Sequence, residues 1–387
     1  MVVSAVILLL AGAWLGGHPS WLPSPLRGAL VDDGDGRFIS DVLKIIERDY
    51  YRPVGRGQLV NKGLAAAVAG LDDPYSHYFD PADYRLFQGQ SNPHLSGIGI
   101  DVLPERRGLR IVDVFARSPA ARAGLMRGEL ILAVGQTSLS NRSAASASQL
   151  IKGPAGTRVM LTVLRGKATH VVSVIRASLV IPAASEHLAT FRGVKIGALQ
   201  LTSFTDGAGD ELRIQVDKAL HSGARALILD LRENGGGLLT QAVNVASIFV
   251  ADGTIVSTAG RNQPRRVYVA KGGAISAGIP MVVLVDRGTA SSAEIVTGAL
   301  QDRHRAKVVG TRTYGKGVFQ EIEPLSNGGA LDITVGEYFT PNGRNLGGGG
   351  VTRGPGIPPD VYALSNPHTR RDAALLVAER TVAAEVR

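Results

Sequence analysis

The chain has 387 residues, no cysteine and a formal net charge of +9 at pH 7. This length predicts two or three domains, and 44% hydrophobic with 19% charged residues is typical of a globular protein. The lack of cysteine excludes disulfides, thiolate zinc sites and cysteine nucleophiles. The positive charge is scattered without a basic block, so we predict no nucleic-acid binding.

An apolar segment stands at the start of the chain. Positions 2–17 carry no charge, and this stretch is short for a membrane span but sufficient for the core of a signal peptide. We predict a signal peptide or membrane anchor over 1–17 and a linker over 18–36. This predicts an exported protein, periplasmic or anchored facing the periplasm. A truncated start or a buried helix is the alternative, because no Lys or Arg precedes the segment.

Two terminal regions are predicted to be helical. Residues 37–90 begin with apolar side chains at helical spacing and include a turn-rich segment over 72–80. The spaced apolar positions are Phe38, Val42, Leu43, Ile46, Leu59, Leu64, Val68 and Leu71. A second helix is predicted within 366–387. These regions either form a homodimer or pack within the chain.

Residues 95–180 change to short β-rich runs separated by glycine turns, which predicts a small β-domain. Its segments 118–131 and 150–159 together resemble PDZ domains of bacterial proteases. Such a domain binds a C-terminal carboxylate through backbone N–H groups and adds the peptide to a strand edge. The predicted carboxylate-binding loop is Gly97-Ile98-Gly99-Ile100. The alternative is that these glycines form ordinary turns.

Strands alternate with helices over 185–365, which predicts an α/β core with mostly parallel strands. The predicted strands are 194–201, 226–231, 281–285 and 307–309. The predicted helices are 208–222, 238–248 and 292–300.

A glycine-rich turn, Asp230-Leu-Arg-Glu-Asn-Gly-Gly-Gly237, follows one of these strands. Such a turn presents backbone N–H groups at a helix N-terminus, where they can bind phosphate or stabilise an oxyanion. It matches neither the dinucleotide fingerprint nor the phosphate-binding loop, so we predict no nucleotide cofactor. Taken alone, the motif is better explained as a tight turn.

Ser291 lies between a predicted strand and a predicted helix, a placement that suits a nucleophile. A serine needs a base, but the histidine closest in sequence, His304, is predicted to be solvated at the far end of that helix. Lys316 follows beyond the next predicted strand, between two glycines. It can serve as the base if burial or nearby charge lowers its pKa from about 10.4. Spacing alone also fits a surface serine and a surface lysine.

The order and spacing of these motifs resemble the C-terminal processing peptidases, also called tail-specific proteases. That family has a serine and a lysine at the spacing of positions 291 and 316, a glutamine four positions later, an earlier PDZ domain and an Asp-Leu-Arg-x-Asn-x-Gly-Gly turn. The resemblance covers about 38–361. It implies Ser291 as nucleophile, Lys316 as general base and Gln320 as the residue that orients the lysine amine. Counting back from Lys316 selects Ser291 over the adjacent serine.

The resemblance also implies an oxyanion hole built from backbone N–H groups of Ser292 and of Gly236 or Gly237. It implies a core with the crotonase/Clp-like spiral fold and no metal or cofactor. Two departures stand out: Gly235 replaces a frequent proline, and 346–356 is richer in glycine than its family counterpart.

The implied function is an exported serine endopeptidase with a Ser–Lys dyad. Its PDZ domain would bind exposed C-terminal tails of protein substrates and would block or misalign the site until a tail docks. The alternatives are a catalytically silent PDZ adaptor or chaperone, and a serine amidase or esterase on the same core. Glu294, three positions after the nucleophile, is predicted to be structural.

Overall fold

The computed structural model describes residues 34–90, 94–115, 117–140, 142, 144–180, 182–275, 278–364 and 372–386. The predicted signal or anchor segment, 1–17, and most of the predicted linker lie outside these residues. Within them, no helix is both long and apolar enough to cross a membrane. The chain divides into two compact units, one ending at Asp72 and the other beginning at Asp73.

The first unit contains two helices, α1 (Gly34–Asp49) and α2 (Arg56–Ala69). The two helices confirm the prediction made from the helical spacing of apolar residues. They are separated around Pro53, because proline has no backbone N–H to continue the first helix. The apolar side chains are largely exposed, with Phe38 at 69% and Ile39 at 58%. Whether these helices pair with a second copy of the chain stays a prediction.

The second unit opens with a short strand and a helix and continues into the β-domain. The elements are β1 (His77–Phe79), α3 (Pro81–Gln90), β2 (His94–Gly97), β3 (Ile100–Glu105), β4 (Gly108–Val114), α4 (Pro119–Arg122), β5 (Leu130–Val134), β6 (Thr137–Ser138), α5 (Ala144–Ile151), β7 (Arg158–Arg165), β8 (Ala168–Ile175) and β9 (Ala177–Val180). The sheet of the β-domain has the order β3-β4-β5-β7-β8, with β6 paired to β5 and all pairs antiparallel. Buried aliphatic side chains fill its core, among them Leu109, Ile111, Leu161 and Val163.

The remaining elements form the α/β core and include all the core strands and helices predicted from the sequence, with bounds that agree closely. They are β10 (Ala184–Phe191), β11 (Val194–Leu201), α6 (Ala208–His221), β12 (Ala226–Asp230), α7 (Leu239–Phe249), β13 (Thr254–Ala259), β14 (Arg266–Val269), β15 (Met281–Val285), α8 (Ser292–Asp302), β16 (Lys307–Gly310), β17 (Val318–Pro324), β18 (Ala330–Phe339), β19 (Val361–Tyr362) and α9 (Ala373–Ala383).

A six-stranded sheet of order β10-β11-β12-β15-β16-β19 forms the centre of the core. Only the β10–β11 pair is antiparallel, which confirms the mostly parallel prediction. Alternate side chains point to opposite faces. Ile228 and Val282 pack with α9, whereas Leu229 and Val283 belong to the larger core that includes α6, α7 and α8. Burial on both faces explains why these strands are continuously apolar.

A second sheet, absent from the sequence prediction, has the order β1-β18-β13-β14, with β17 paired to β18. The β17–β18 hairpin places Gln320 opposite Thr334, next to a register shift between Phe319 and Gln320. Strand β18 also pairs with β1, so residues near position 77 contact this hairpin. This sheet brings side chains from distant parts of the sequence close to Lys316.

Candidate active site

Ser291 occupies a sharp turn between β15 and α8. Its backbone angles are φ +54° and ψ −119°, a left-handed conformation that is strained for a non-glycine residue. A nucleophile at a strand-to-helix elbow has this kind of strained geometry, which directs its hydroxyl out of the turn. The residue is 9% exposed, so the hydroxyl lies in a restricted environment.

The buried carboxylate of Glu294 connects the serine turn with the lysine loop. Its Oε2 accepts the backbone N–H groups of Ser291 and Lys316, each at 2.9 Å. Its Oε1 accepts the Gly315 N–H at 2.7 Å and the Thr313 hydroxyl at 2.6 Å. Burial raises the pKa of Glu294, and these four hydrogen bonds favour its charged form. The structural role predicted for Glu294 is therefore a specific one, holding the two candidate catalytic residues in register.

Sequence reasoning did not identify this link between Ser291 and Lys316, although a signal was present. A serine followed three positions later by glutamate at a helix start is the capping-box pattern, in which the glutamate returns to the backbone N–H of the cap residue. Ser291 and Glu294 have this spacing, and the Ser291 N–H donates to Glu294.

Lys316 is half-buried and its amine has a neutral hydrogen-bond acceptor. Nζ donates to Gln320 Oε1 at 2.8 Å and lies 4.8 Å from the centre of the Tyr75 ring. Burial lowers the pKa of Lys316 below its ordinary 10.5, against the opposing charges of Asp332 and Asp73. Among the described residues, no hydrogen bond joins this amine to the Ser291 hydroxyl.

Gly315 lets the chain fold the lysine inward, as the flanking glycines suggested. Its φ is +92°, and a Cβ there would lie 2.3 Å from the carbonyl oxygen of Gly354. A side chain at this position would therefore push the lysine loop away from the glycine-rich segment that packs against it.

The predicted oxyanion turn lies directly beside the serine. The turn follows β12 and Ser291 closely follows β15, and the carboxyl ends of neighbouring parallel strands meet at one sheet edge. A Cβ on Gly236 would lie 2.8 Å from the Ser291 Cβ. The Gly236 N–H donates to Asn234 Oδ1 at 2.9 Å. The N–H groups of Gly237 and Ser292 have no acceptor within the described part of the chain. Of the two candidate glycines, Gly237 is therefore the one whose backbone N–H is available to an oxyanion.

Two tyrosines near Ser291 and Lys316 were not selected as site residues from the sequence. Tyr338, on β18, is 6% exposed, and burial raises the pKa of its phenol while the Ser291 side chain partly lowers it. Tyr75 lies under the lysine amine, and burial with its neighbour Tyr314 raises the pKa of Tyr75 to about 12. Both phenols therefore stay neutral near pH 7 and form polar, uncharged walls.

His304 is exposed beyond the end of α8, which confirms the prediction of a solvated histidine. In the described ranges, no group of three or more His, Cys, Asp or Glu side chains could hold a metal ion.

The four residues of the predicted PDZ loop line one groove in the β-domain. The groove encloses about 100 Å³ and is completed by Phe115, just after β4, by Ser148 and Ile151 of α5, and by Val102, Lys152 and Leu179. The N–H groups of Ile98 and Gly99 have no acceptor among the residues described, and β3 is the edge strand of its sheet. Free loop donors beside an open strand edge are the two elements that strand addition requires.

Comparison with known proteins agrees with this architecture. Residues 195–363 match the profile of peptidase family S41 and residues 110–165 match that of the PDZ domain. A carboxy-terminal-processing protease of Bartonella bacilliformis is 32% identical over 319 residues, 81% of this chain and 72% of that protein. A carboxyl-terminal-processing protease of Synechocystis sp. is 33% identical over 305 residues, 78% and 71% of the two chains.

A solved structure, the photosystem II D1 C-terminal processing protease, superimposes with a TM-score of 0.52 and 27% identity, covering 88% of this chain and 90% of that one. The fold and these matches define a serine-type peptidase that carries a PDZ domain. The chain belongs to the carboxyl-terminal processing proteases of peptidase family S41. The mixed α/β fold is confirmed, whereas the crotonase/Clp-like spiral stays a prediction.

Proposed function

We propose that this protein is an endopeptidase that binds the free C-terminal tails of protein substrates in its PDZ groove and cleaves them with a Ser291–Lys316 dyad. The observation that carries the proposal is the Glu294 carboxylate, which hydrogen-bonds the backbone of both residues. A surface serine and lysine would not share a buried carboxylate. Membership of the family supports peptide-bond hydrolysis by a serine, and the groove of the β-domain supports C-terminal tails as the substrates.

In the proposed reaction, neutral Lys316 accepts the proton of the Ser291 hydroxyl as Oγ attacks the scissile carbonyl. The N–H groups of Gly237 and Ser292 stabilise the oxyanion of the tetrahedral intermediate. The Lys316 ammonium then returns its proton to the leaving amine, and an acyl-enzyme remains on Ser291. A water molecule, deprotonated by the same amine, hydrolyses the ester and restores the free serine.

The proposal predicts how the reactivity of Ser291 changes with pH. Only neutral Lys316 can act as a base, so the rate must rise as pH increases through the lysine pKa. Burial lowers the pKa of Lys316, so we expect the midpoint of this rise to lie below 10.5. The measurement is the rate of Ser291 labelling by a fluorophosphonate across pH, read by mass spectrometry. A midpoint at or above 10.5 would contradict a lysine base in this pocket.

Tail recognition is tested with three substrates: a casein-like protein, the same protein with an apolar C-terminal tail, and a small ester. We expect the tailed protein to be cleaved fastest, and amidation of its terminal carboxylate to remove the advantage. The adaptor alternative predicts binding without cleavage, and the esterase alternative predicts ester hydrolysis that a tail does not affect. Equal cleavage of proteins with free and amidated tails would refute recognition of the terminal carboxylate by the groove.

The Gly99→Ala variant localises this recognition. Gly99 has φ +78°, and a Cβ there would lie 2.4 Å from the Ser118 Cβ, so alanine should distort the loop. Gly124→Ala is the matched control, because Gly124 has φ +75° with no atom near the added Cβ. We expect Gly99→Ala alone to weaken tail binding by roughly tenfold or more while ester hydrolysis persists.

We also propose that the protein is exported, on the strength of the uncharged, apolar residues 2–17. Deleting these residues should leave the protein in the cytoplasm of the expressing bacterium, whereas the full chain should fractionate with the periplasm or membrane. Equal distribution of the two forms would refute export. Mass spectrometry of the N-terminus distinguishes cleavage from anchoring.

A further inference from the structure

The carboxamide of Gln320 has a defined orientation in the candidate site. Its Oε1 accepts from Lys316 Nζ at 2.8 Å, and its Nε2 donates to Thr334 Oγ1 at 3.0 Å. Gln320 and Thr334 are direct cross-strand partners in the β17–β18 hairpin. The threonine hydroxyl therefore acts as the acceptor that keeps the amide nitrogen away from the lysine.

Thr334 is in turn held by Asp73 through Ser76, in the turn before β1. Asp73 Oδ1 accepts the Tyr75 N–H at 2.9 Å, and Oδ2 accepts the Ser76 hydroxyl at 2.6 Å. Ser76 Oγ accepts the Thr334 N–H at 3.0 Å, which attaches the turn to the hairpin. Burial opposes the charge on Asp73, yet hydrogen bonds from the side chains of Ser76 and Thr334, with backbone bonds, leave the pKa of Asp73 below its ordinary value.

An ionised carboxylate can only accept hydrogen bonds, so the Ser76 hydroxyl donates to Asp73 and presents its own lone pair to the Thr334 N–H. These two contacts hold the Thr334 backbone beside Gln320. The Thr334 hydroxyl presents a lone pair that accepts Gln320 Nε2–H, which leaves Oε1 facing the Lys316 amine. Removal of this hydroxyl would leave the amide nitrogen without its acceptor and allow the amide to reverse.

We propose that Thr334 is a positioning residue for catalysis, which holds the Gln320 amide with its oxygen towards Lys316, and that Asp73 holds Thr334 in place through Ser76. This inference rests on the proposed Ser–Lys dyad. A neutral lysine amine has one lone pair, and that lone pair must accept the Ser291 proton. With Oε1 in place, Gln320 takes an N–H of the amine and leaves the lone pair available. A reversed amide would donate its own N–H to the lone pair and block the base.

The first test compares Thr334→Val, which lacks a hydroxyl, with Thr334→Ser, which retains one. We expect Thr334→Val to lower kcat for tailed-substrate cleavage by roughly tenfold, with KM within about twofold of the wild type. Thr334→Ser should restore most of the rate. Thr381→Val is the matched control, because Thr381 is another half-buried threonine, whose hydroxyl donates to the Val377 carbonyl in α9. It should leave kcat unchanged.

Asp73→Asn tests the support behind Thr334. A neutral amide in place of the carboxylate weakens the hydrogen bond from the Ser76 hydroxyl, which holds the Thr334 backbone, so kcat should fall without a matching rise in KM. Thermal unfolding of each variant and the fraction of Ser291 that a fluorophosphonate finally labels show whether the site is folded. A normal kcat in folded Thr334→Val and Asp73→Asn proteins would overturn the proposal.

A double-mutant cycle separates amide orientation from general structure. Gln320→Glu carries only acceptor oxygens, so its orientation towards Lys316 does not depend on Thr334. Adding Thr334→Val to Gln320→Glu should therefore cost less than about twofold, against roughly tenfold in the wild-type background, each at its own pH plateau. Equal costs in both backgrounds would overturn the proposal. If the wild type cleaves nothing, the proposed function fails; if it cleaves and the cycle shows no coupling, only this inference fails.

Discussion

Lys316→Arg is expected to lose proteolysis as completely as Lys316→Ala, by at least about 10³-fold in kcat/KM. Arginine keeps the positive charge and can still donate to Gln320, but its pKa above about 12 prevents it from accepting a proton. Lys316 has a half-buried amine whose pKa is lowered, so it can lose its proton and act as a base. Arginine cannot supply this function. The measurement is kcat/KM on the tailed substrate at the pH optimum of the wild type.

The controls for this result are variants of Ser291, of the adjacent Ser292 and of Lys195, an exposed lysine. Ser291→Ala should lose as much activity as Lys316→Arg, and combining the two should cost little more, because residues that act as a unit are not additive. Ser292→Ala, which keeps its backbone N–H, should retain measurable cleavage. Lys195→Arg, at an exposed lysine that donates to the Ser222 carbonyl, should behave as wild type. More than a tenth of wild-type activity in Lys316→Arg would show that Lys316 acts as a cation and not as a base.

The α/β core could be predicted from the sequence because its strands are buried on both faces. Val194–Leu201 and Met281–Val285 were predicted with the bounds that the structure shows. The second sheet was not predicted, because its hairpin strands β17 and β18 are only partly buried and mix polar with apolar residues on both faces. A turn signal was nevertheless present at Asn327 with the two glycines that follow, between two β-rich runs.

The candidate site was predicted only in part, because sequence spacing does not show which backbone a side chain will reach. Ser291, Lys316 and Gln320 were selected, and the structure places Gln320 on the lysine amine. The contacts that fix these residues come from Glu294 and from Thr334, and Thr334 is held through Ser76 by Asp73, in a distant part of the sequence that precedes the β-domain. The pairing of Gln320 with Thr334 follows a register shift in the β17–β18 hairpin, which no local sequence pattern predicts.

Gly236→Ala is expected to lower kcat by roughly 100-fold, the loss typical of a damaged oxyanion hole. Gly236 has φ +100°, and an added Cβ would lie 2.8 Å from the Ser291 Cβ and 2.9 Å from both the Ala290 carbonyl oxygen and the Ser292 nitrogen. All three neighbours belong to the strained serine turn, so the methyl group can be accommodated only by moving that turn or the N–H of Gly237. Either movement separates the nucleophile from the proposed oxyanion donors.

Gly235→Ala is the matched control for this prediction. Gly235 adjoins Gly236, but it lies outside the left-handed region and has no atom within 4 Å of an added Cβ. The family often has proline at this position, and the open space explains why a side chain is tolerated there. Both variants are assayed for kcat on the tailed substrate and for the rate of Ser291 labelling. Equal losses would show that the turn needs flexibility at both glycines, whereas a loss confined to Gly236→Ala locates the effect at the contact with Ser291.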